Sequence, residues 1–173
     1  MRTWASALLL FASLGFAFAE PAKIGIVDLQ RALNESEAGR KAKEEFRSEM
    51  EKLRRSLQKQ RDEVENLRER IEKKAAVLKE EERRKLERDY QKQVRDFERA
   101  YKDSQAELQA KDAELTEQIL RDLQEVIREF GEKENYLLIL EAGSGGLLYG
   151  ADSADITDRI IERYDSDYRR RKR

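Results

Sequence analysis

From residue 46 onward the apolar positions recur every seven residues. Met50, Leu57, Val64, Ile71 and Leu78 form one series, and Phe46, Leu53 and Leu67 fall on a second, together making the a/d seam of a helix packed lengthwise on another. Gln60 and Lys74 occupy the remaining second-series positions, where a polar side chain weakens a seam. A later pattern places Tyr90 and Phe97 on one series and Val94, Tyr101, Leu108 and Leu115 on the other, with Ser104 and Lys111 as its polar lapses. The two patterns are out of phase. Seven residues past Leu78 stands Lys85, the next apolar residues are Leu86 and Tyr90, and residues 79–85 (KEEERRK) hold no apolar side chain. Two helices are therefore predicted, with Lys73 and Lys74 suited to the end of the first and Glu80, Glu81 and Glu82 to the start of the second. One helix with a stutter is the alternative. No glycine or proline stands between Gly39 and Gly131, as long helices require.

The flanks read differently. Residues 23–30 (KIGIVDLQ) read as a short strand. Gly131 suits the position just past a helix end, and residues 136–142 (YLLILEA) and 147–151 (LLYGA) around the loop GSGG read as a β-hairpin. Residues 155–164 (DITDRIIERY) put Ile156, Ile160, Ile161 and Tyr164 on one helical face, with Asp155 at the N-cap and Asp158 at N3. An isolated strand is unstable, so residues 23–27 need a partner, and candidates lie only beyond residue 135. The helical stretch must go out and come back, and the midpoint between Asp28 and Tyr136 is residue 82. Each arm of about 45 residues would be on the order of 70 Å long. In YLLILE both faces are apolar, Leu137 and Ile139 on one and Leu138 and Leu140 on the other, which implies burial on both sides. One chain cannot cover both, so self-association through the sheet is expected, with Ile24, Ile26, Leu138, Leu140 and Leu148 as candidate contacts.

The predicted class is α+β: a long antiparallel helical hairpin, a coiled-coil arm, projecting from a small β-sheet body. The body takes residues 20–35 and 131–168, the arm residues 36–130 with a reversal near 77–82, and a basic tail residues 169–173. Residues 1–19 carry a cation at Arg2, an apolar run of about 14 residues and Ala17-Phe18-Ala19, the layout of a cleavable secretory signal with the cut between Ala19 and Glu20. An uncleaved membrane anchor is the alternative, although the run falls short of the ~20 residues that span a bilayer.

Of the 173 residues 42% are charged, too many for one large compact core, and the formal charge is −1, or −2 without Arg2. No bulk field draws nucleic acid or an acidic membrane to the chain. It has no cysteine and no histidine, which removes disulfides, thiol and imidazole catalysis and the usual zinc ligand sets. Gly143 to Gly146 lacks the neighbours of a nucleophile elbow or a dinucleotide loop, and there is no P-loop sequence. Carboxylates on an arm of mixed charge read as a solvated face, so no enzyme activity, cofactor or metal is expected. The terminal arginines read as a disordered, solubilising end.

With KIGIVDLQRALNESEAG at the front and YLLILEAGSGGLLYGADSADIT at the back, the chain resembles the Skp/OmpH family of periplasmic chaperones over essentially all of its mature length. The resemblance implies a homotrimer in which strands of three subunits close a β-barrel body, with three arms projecting around a cavity. It implies a holdase that, without ATP, keeps unfolded outer-membrane β-barrel proteins from aggregating. Phe46, Met50, Tyr90, Phe97 and Tyr101 are then candidate client contacts, although seam packing between the arms explains them more simply. Well-known relatives are strongly basic and this chain is not. No lipopolysaccharide site is carried over onto Arg83, Arg84 or the tail, and any lipopolysaccharide or membrane contact is expected to be weak. Nucleic acid is not an expected partner. The alternative function is a structural coiled-coil protein that spaces or tethers envelope components.

Overall fold

The structure is a computed structural model that describes residues 22–74, 77–143 and 145–173. The proposed cleavage site at Ala19 and Glu20 lies outside the described residues. Strand β1 is Ile24–Val27, followed by helix α1 at Leu29–Glu35. The strand expected over residues 23–30 thus stops early. Asp28 leaves the ladder because its Oδ1 accepts from the Arg31 N–H at 2.8 Å, an N-cap that starts a helix through Leu29 and Gln30.

Ser36 makes the corner into α2, Glu37–Lys74. Its fully buried hydroxyl accepts from the Gly39 N–H at 3.1 Å, while its own N–H still bonds Ala32 of α1. A Cβ on Gly39 would sit 1.7 Å from the Leu33 carbonyl oxygen, so only glycine permits this corner. Helix α3, Glu80–Lys133, returns antiparallel along α2. At 1.5 Å per residue the two are about 57 Å and about 81 Å long, so α3 outruns α2 at the body end. The break between Lys74 and Glu80 has three glutamates in the first turn of α3, where Glu80 pairs with Arg83 and Arg84 at 2.7 and 2.8 Å.

Helix α3 runs through Gly131, which was expected to follow its end. Asn135 takes the left-handed conformation instead (φ 56°), with the Tyr136 N–H on the Gly131 carbonyl at 2.9 Å and the Asn135 N–H on Glu132 at 3.4 Å. Gly131 serves a different need, since a Cβ there would come within 3.2 Å of Ile139. Strand β2, Leu138–Glu141, then pairs in parallel with β1 in the register Ile24 with Leu138 through Val27 with Glu141. Parallel neighbours need a crossover connection. Here that crossover is the whole arm.

The second strand of the expected β-hairpin does not form. Residues 147–151 carry no ladder, and the chain passes across Ile26: a Cβ on Gly150 would lie 2.2 Å from the Ile26 Cδ1. A short 3-10 turn at Asp152–Ala154 then brings Asp155 beside Ile26 on the edge of β1 away from β2, and the Ile156 N–H donates to the Ile26 carbonyl at 2.9 Å. The buried Thr157 hydroxyl accepts from the Asp28 N–H at 2.9 Å. Strand β1 is therefore hydrogen-bonded on both sides.

Helix α4, Thr157–Arg171, begins one residue later than expected and runs well past residue 164. Its N-cap Ile156 offers no side-chain acceptor, and Asp155 acts from one residue further out, its Oδ1 accepting from the Thr157 N–H at 2.8 Å. The core lies where α4 crosses the arm base: Val27, Ala32, Ala38, Ile119, Leu123, Val126, Ile156, Ile160 and Tyr164 are buried together. Asp165 of α4 caps α2 by accepting from the Glu37 N–H at 2.7 Å. The terminal arginines, expected to be loose, occupy the last turn of α4. Arg169 reaches Glu37 of α2 at 3.3 Å, and Arg171 reaches Asp122 and Glu125 of α3 at 3.0 and 3.2 Å. One helix thus ties both roots of the arm.

The Thr157 side chain and N–H hold the Asp155 carboxyl below its ordinary range, with Arg31 adding to the effect. A depressed carboxyl contributes stability above its unfolded pKa of about 4 and loses it as pH falls through the lower folded value. Asp155→Ala is expected to cost about 1 kcal/mol near neutral pH. Urea titrations of variant and parent should converge in acid; an equal gap at about pH 2 would contradict the assignment.

Candidate functional site

Two uncovered apolar surfaces are available, one on the sheet and one along the arm. Because paired residues of parallel strands share a face, Gly25, Val27 and Ile139 point toward the helices while Ile24, Ile26, Leu138 and Leu140 point away. Ile26 is half-buried under Gly150, but Ile24 is 46% exposed and Leu140 43%. Leu148 is 98% exposed, and Leu137 and Tyr149 are exposed as well. The outer edge of β2 has no strand partner among the described residues. Apolar surface is thus exposed next to a strand edge, a combination that folded chains ordinarily cover.

Along the arm the seam is only half closed. Of the apolar seam residues between Phe46 and Leu115 only Leu67 is buried, at 8% exposure, while Phe46, Tyr90 and Phe97 are half-buried and Met50 and Tyr101 exposed. Two grooves open between the helices. One, about 510 Å³, has a floor of Leu33, Phe46, Met50, Leu115 and Ile119; the next, about 380 Å³, is floored by Met50, Leu53, Leu57, Phe97, Tyr101 and Leu108. The structure thereby brings Phe46 with Met50, and Met50 with Phe97 and Tyr101. Tyr90 lies further out on the arm and lines neither groove.

The polar lapses behave differently from one another. Lys111 leans out of the seam to Glu45 of α2 at 2.8 Å and to Glu114 at 3.6 Å, and the Glu45 carboxylate raises its pKa. It thus links the two helices where a leucine would have packed between them. Ser104 lines the second groove. Further out, the buried Gln93 Oε1 has no hydrogen-bond partner among the described residues, a local loosening of the seam.

At the arm root, burial and the Asp122 carboxylate push the Tyr164 phenol well above its ordinary range, and its hydroxyl donates to Asp122 at 3.3 Å. It stays a neutral donor at any ordinary pH and fastens α4 to α3. Among the described residues no carboxylate cluster is arranged to hold a metal, and no helix is long and apolar enough to cross a membrane.

A long two-helix arm rooted beside a parallel strand pair also marks known proteins. A family model described as "Outer membrane protein (OmpH-like)" matches residues 23–164, from the first residue before β1 to the buried tyrosine of α4. The chain belongs to the OmpH-like family. A solved structure from Caulobacter crescentus CB15, described as a candidate OmpH-like outer membrane chaperone, superposes with a TM-score of 0.79 at 15% identity. The match covers 96% of this chain and 90% of that one. At that identity the likeness speaks to the fold. No curated protein sequence gives a significant match.

The OmpH-like arm and body differ in how they are held. The core where α4 crosses the arm base is buried, whereas the arm depends on a half-open seam and on exposed intrahelical ion pairs worth little each. Amide hydrogen exchange is therefore expected to be fast over residues 41–66 and 86–114 and slowest over residues 119–127 and 156–165. Equal protection in arm and body, measured by mass spectrometry, would contradict this division.

Proposed function

We propose that this OmpH-like chain is a periplasmic holdase chaperone that works without ATP. It binds unfolded outer-membrane β-barrel proteins and keeps them from aggregating on their way to the outer membrane. The observation that carries the reading is the half-open apolar seam of a long arm, a surface that offers many weak and reversible contacts to an unfolded chain. Family membership supports a chaperone role, and the secretory layout of residues 1–19, with its cut between Ala19 and Glu20, supports the periplasm.

The same reading makes the chain a homotrimer. Ile24, Ile26, Leu138, Leu140 and Leu148 supply apolar surface that a single chain leaves partly or wholly uncovered, and the outer side of β2 supplies a strand edge with no strand beside it among the described residues. Closing the strands of three copies into one barrel would satisfy both at once. Arms projecting from such a body enclose a space in which Phe46, Met50, Tyr90, Phe97 and Tyr101 meet the client.

The test dilutes a denatured outer-membrane barrel protein into buffer with the mature chain and follows light scattering. Scattering should be suppressed at a slight excess of trimer, and native mass should equal three subunits. Ile24→Asp with Leu140→Asp is expected to yield monomers and abolish the protection while leaving helical content intact. Unchanged scattering in the presence of a folded trimer would reject the holdase and favour a structural spacer of envelope components.

A further inference from the structure

The net charge of −1 conceals a strongly sided arm. One residue past the second-series seam positions, arginine recurs every seven residues: Arg40, Arg47, Arg54, Arg61 and Arg68. On α2 they form one line along one border of the seam, about 10 Å apart. Arg68 pairs with Glu72 at 3.0 Å and Arg40 bonds the Glu35 carbonyl. The three between them, Arg47, Arg54 and Arg61, are exposed and have no ion-pair partner among the described residues. Glu51 and Glu65 stand four residues beyond Arg47 and Arg61, but an arginine preceding its glutamate is the weaker order for a helical pair.

These arginines border the two apolar grooves. Lys43 and Arg47 line the first, opposed by a single carboxylate at Asp112; Arg54 and Arg61 line the second, which has no acidic residue in its wall. The other border of the same seam is the reverse. Its cleft, about 530 Å³, is lined by Glu45, Glu49, Glu107 and Glu114 against Lys52 and Lys111, and both lysines are engaged, Lys52 with Glu49 at 3.0 Å and Lys111 with Glu45 at 2.8 Å. Its only apolar side chain is Ala110. Beyond the arm root, one border thus combines apolar floor with unpaired cations and the other combines carboxylates with little apolar surface; at the root the acidic side also carries apolar groups, where Ala42, Leu115, Ile119 and Tyr164 line a cleft beside Glu45 and Asp122.

We propose that the arm binds on one side only: unfolded segments in which apolar side chains are accompanied by carboxylates lie along the Arg47, Arg54 and Arg61 border, their apolar groups in the two grooves. The proposal rests on the holdase reading and specifies which client segments the arm selects and where. Each guanidinium can form a charge-assisted hydrogen bond beside an apolar groove wall, which adds charge selection to the apolar contacts. The acidic border repels the same segments. An acidic polypeptide fits better than a phosphorylated lipid. Arginines spaced about 10 Å apart along the helix can each take a separate carboxylate of an extended segment, and the grooves hold a few side chains in place of a sheaf of acyl tails.

The test measures fluorescence anisotropy of two labelled peptides with the full mature chain. Both alternate Phe and Leu with charged residues, aspartate in one and lysine in the other. The aspartate peptide is expected to bind about tenfold tighter at low salt, with the gap closing as salt screens it. Arg47→Gln, Arg54→Gln and Arg61→Gln together should erase that preference, with circular dichroism unchanged. Glu49→Gln, Glu107→Gln and Glu114→Gln together should alter it less than about threefold, as expected of charges on the far border. Equal binding of the two peptides by the parent chain, or equal effects of the two triple variants, would overturn the proposal. So would displacement of the aspartate peptide by anionic phospholipid vesicles at equimolar lipid, which would reassign the border to lipid. A chain that suppresses aggregation without preferring the aspartate peptide loses the sidedness alone. A chain that neither suppresses aggregation nor binds either peptide loses both readings.

Discussion

Four residues of backbone hold the ends of this architecture together. Strand β1, Ile24–Val27, bonds β2 along one edge and the Asp155–Ile156 segment along the other, and both lie more than a hundred residues away in sequence. Buried backbone N–H and C=O groups must be paired, so the chain cannot remain extended after α2. It has to turn and come back. Because β2 runs parallel to β1, the return needs a crossover, and the arm is that crossover drawn out to tens of ångströms. Few contacts of very high sequence separation thereby determine the placement of more than ninety helical residues, the 38 of α2 and the 54 of α3.

Stability is concentrated at the same place. Tyr164, Ile160, Leu123 and Val126 are fully buried where α4 crosses the arm base, each worth on the order of 1.5–3 kcal/mol of transfer free energy. Asp165 and the arginines Arg163, Arg169 and Arg171 reach from α4 to both arm helices. Beyond this root the arm relies on helix propensity, a half-exposed seam and ion pairs within one helix. With a firmly packed base and a weakly cross-linked arm, the two arm helices can part without disturbing the core.

Much of this organisation was legible from residue spacing. The heptad positions revealed helices, the phase change after Leu78 revealed that there were two, and the apolar segments at the two ends revealed a sheet that had to be shared. What spacing missed were features fixed by three-dimensional neighbours. LLYGA has the composition of a strand, but its Gly150 packs on Ile26 and the segment runs across the sheet instead of along it. Gly131 looked like a helix end and is a point of close approach to Ile139, while the left-handed position fell to Asn135. The arginines of the C-terminus looked like a solvated tail because their partners, Glu37, Asp122 and Glu125, are distant in sequence. The candidate assembly and client positions are ones the fold leaves partly open, with Ile26, Phe46, Tyr90 and Phe97 half-buried and the others exposed.

The arginine line on α2 was readable by the same arithmetic, yet counting only apolar residues passes over it. A chain total of 36 basic and 37 acidic residues says that no long-range field exists, not that no local one does. Within a Debye length of about 8 Å, a border carrying Arg47, Arg54 and Arg61 is a different surface from one carrying Glu45, Glu49, Glu107 and Glu114. Heptad spacing preserves this separation along the arm, because residues seven apart stay on one face for as long as the seam lasts. Near-neutrality and sidedness are therefore compatible. The repeat that closes the seam also sorts the charges beside it, and the grooves open on the side where those charges are positive.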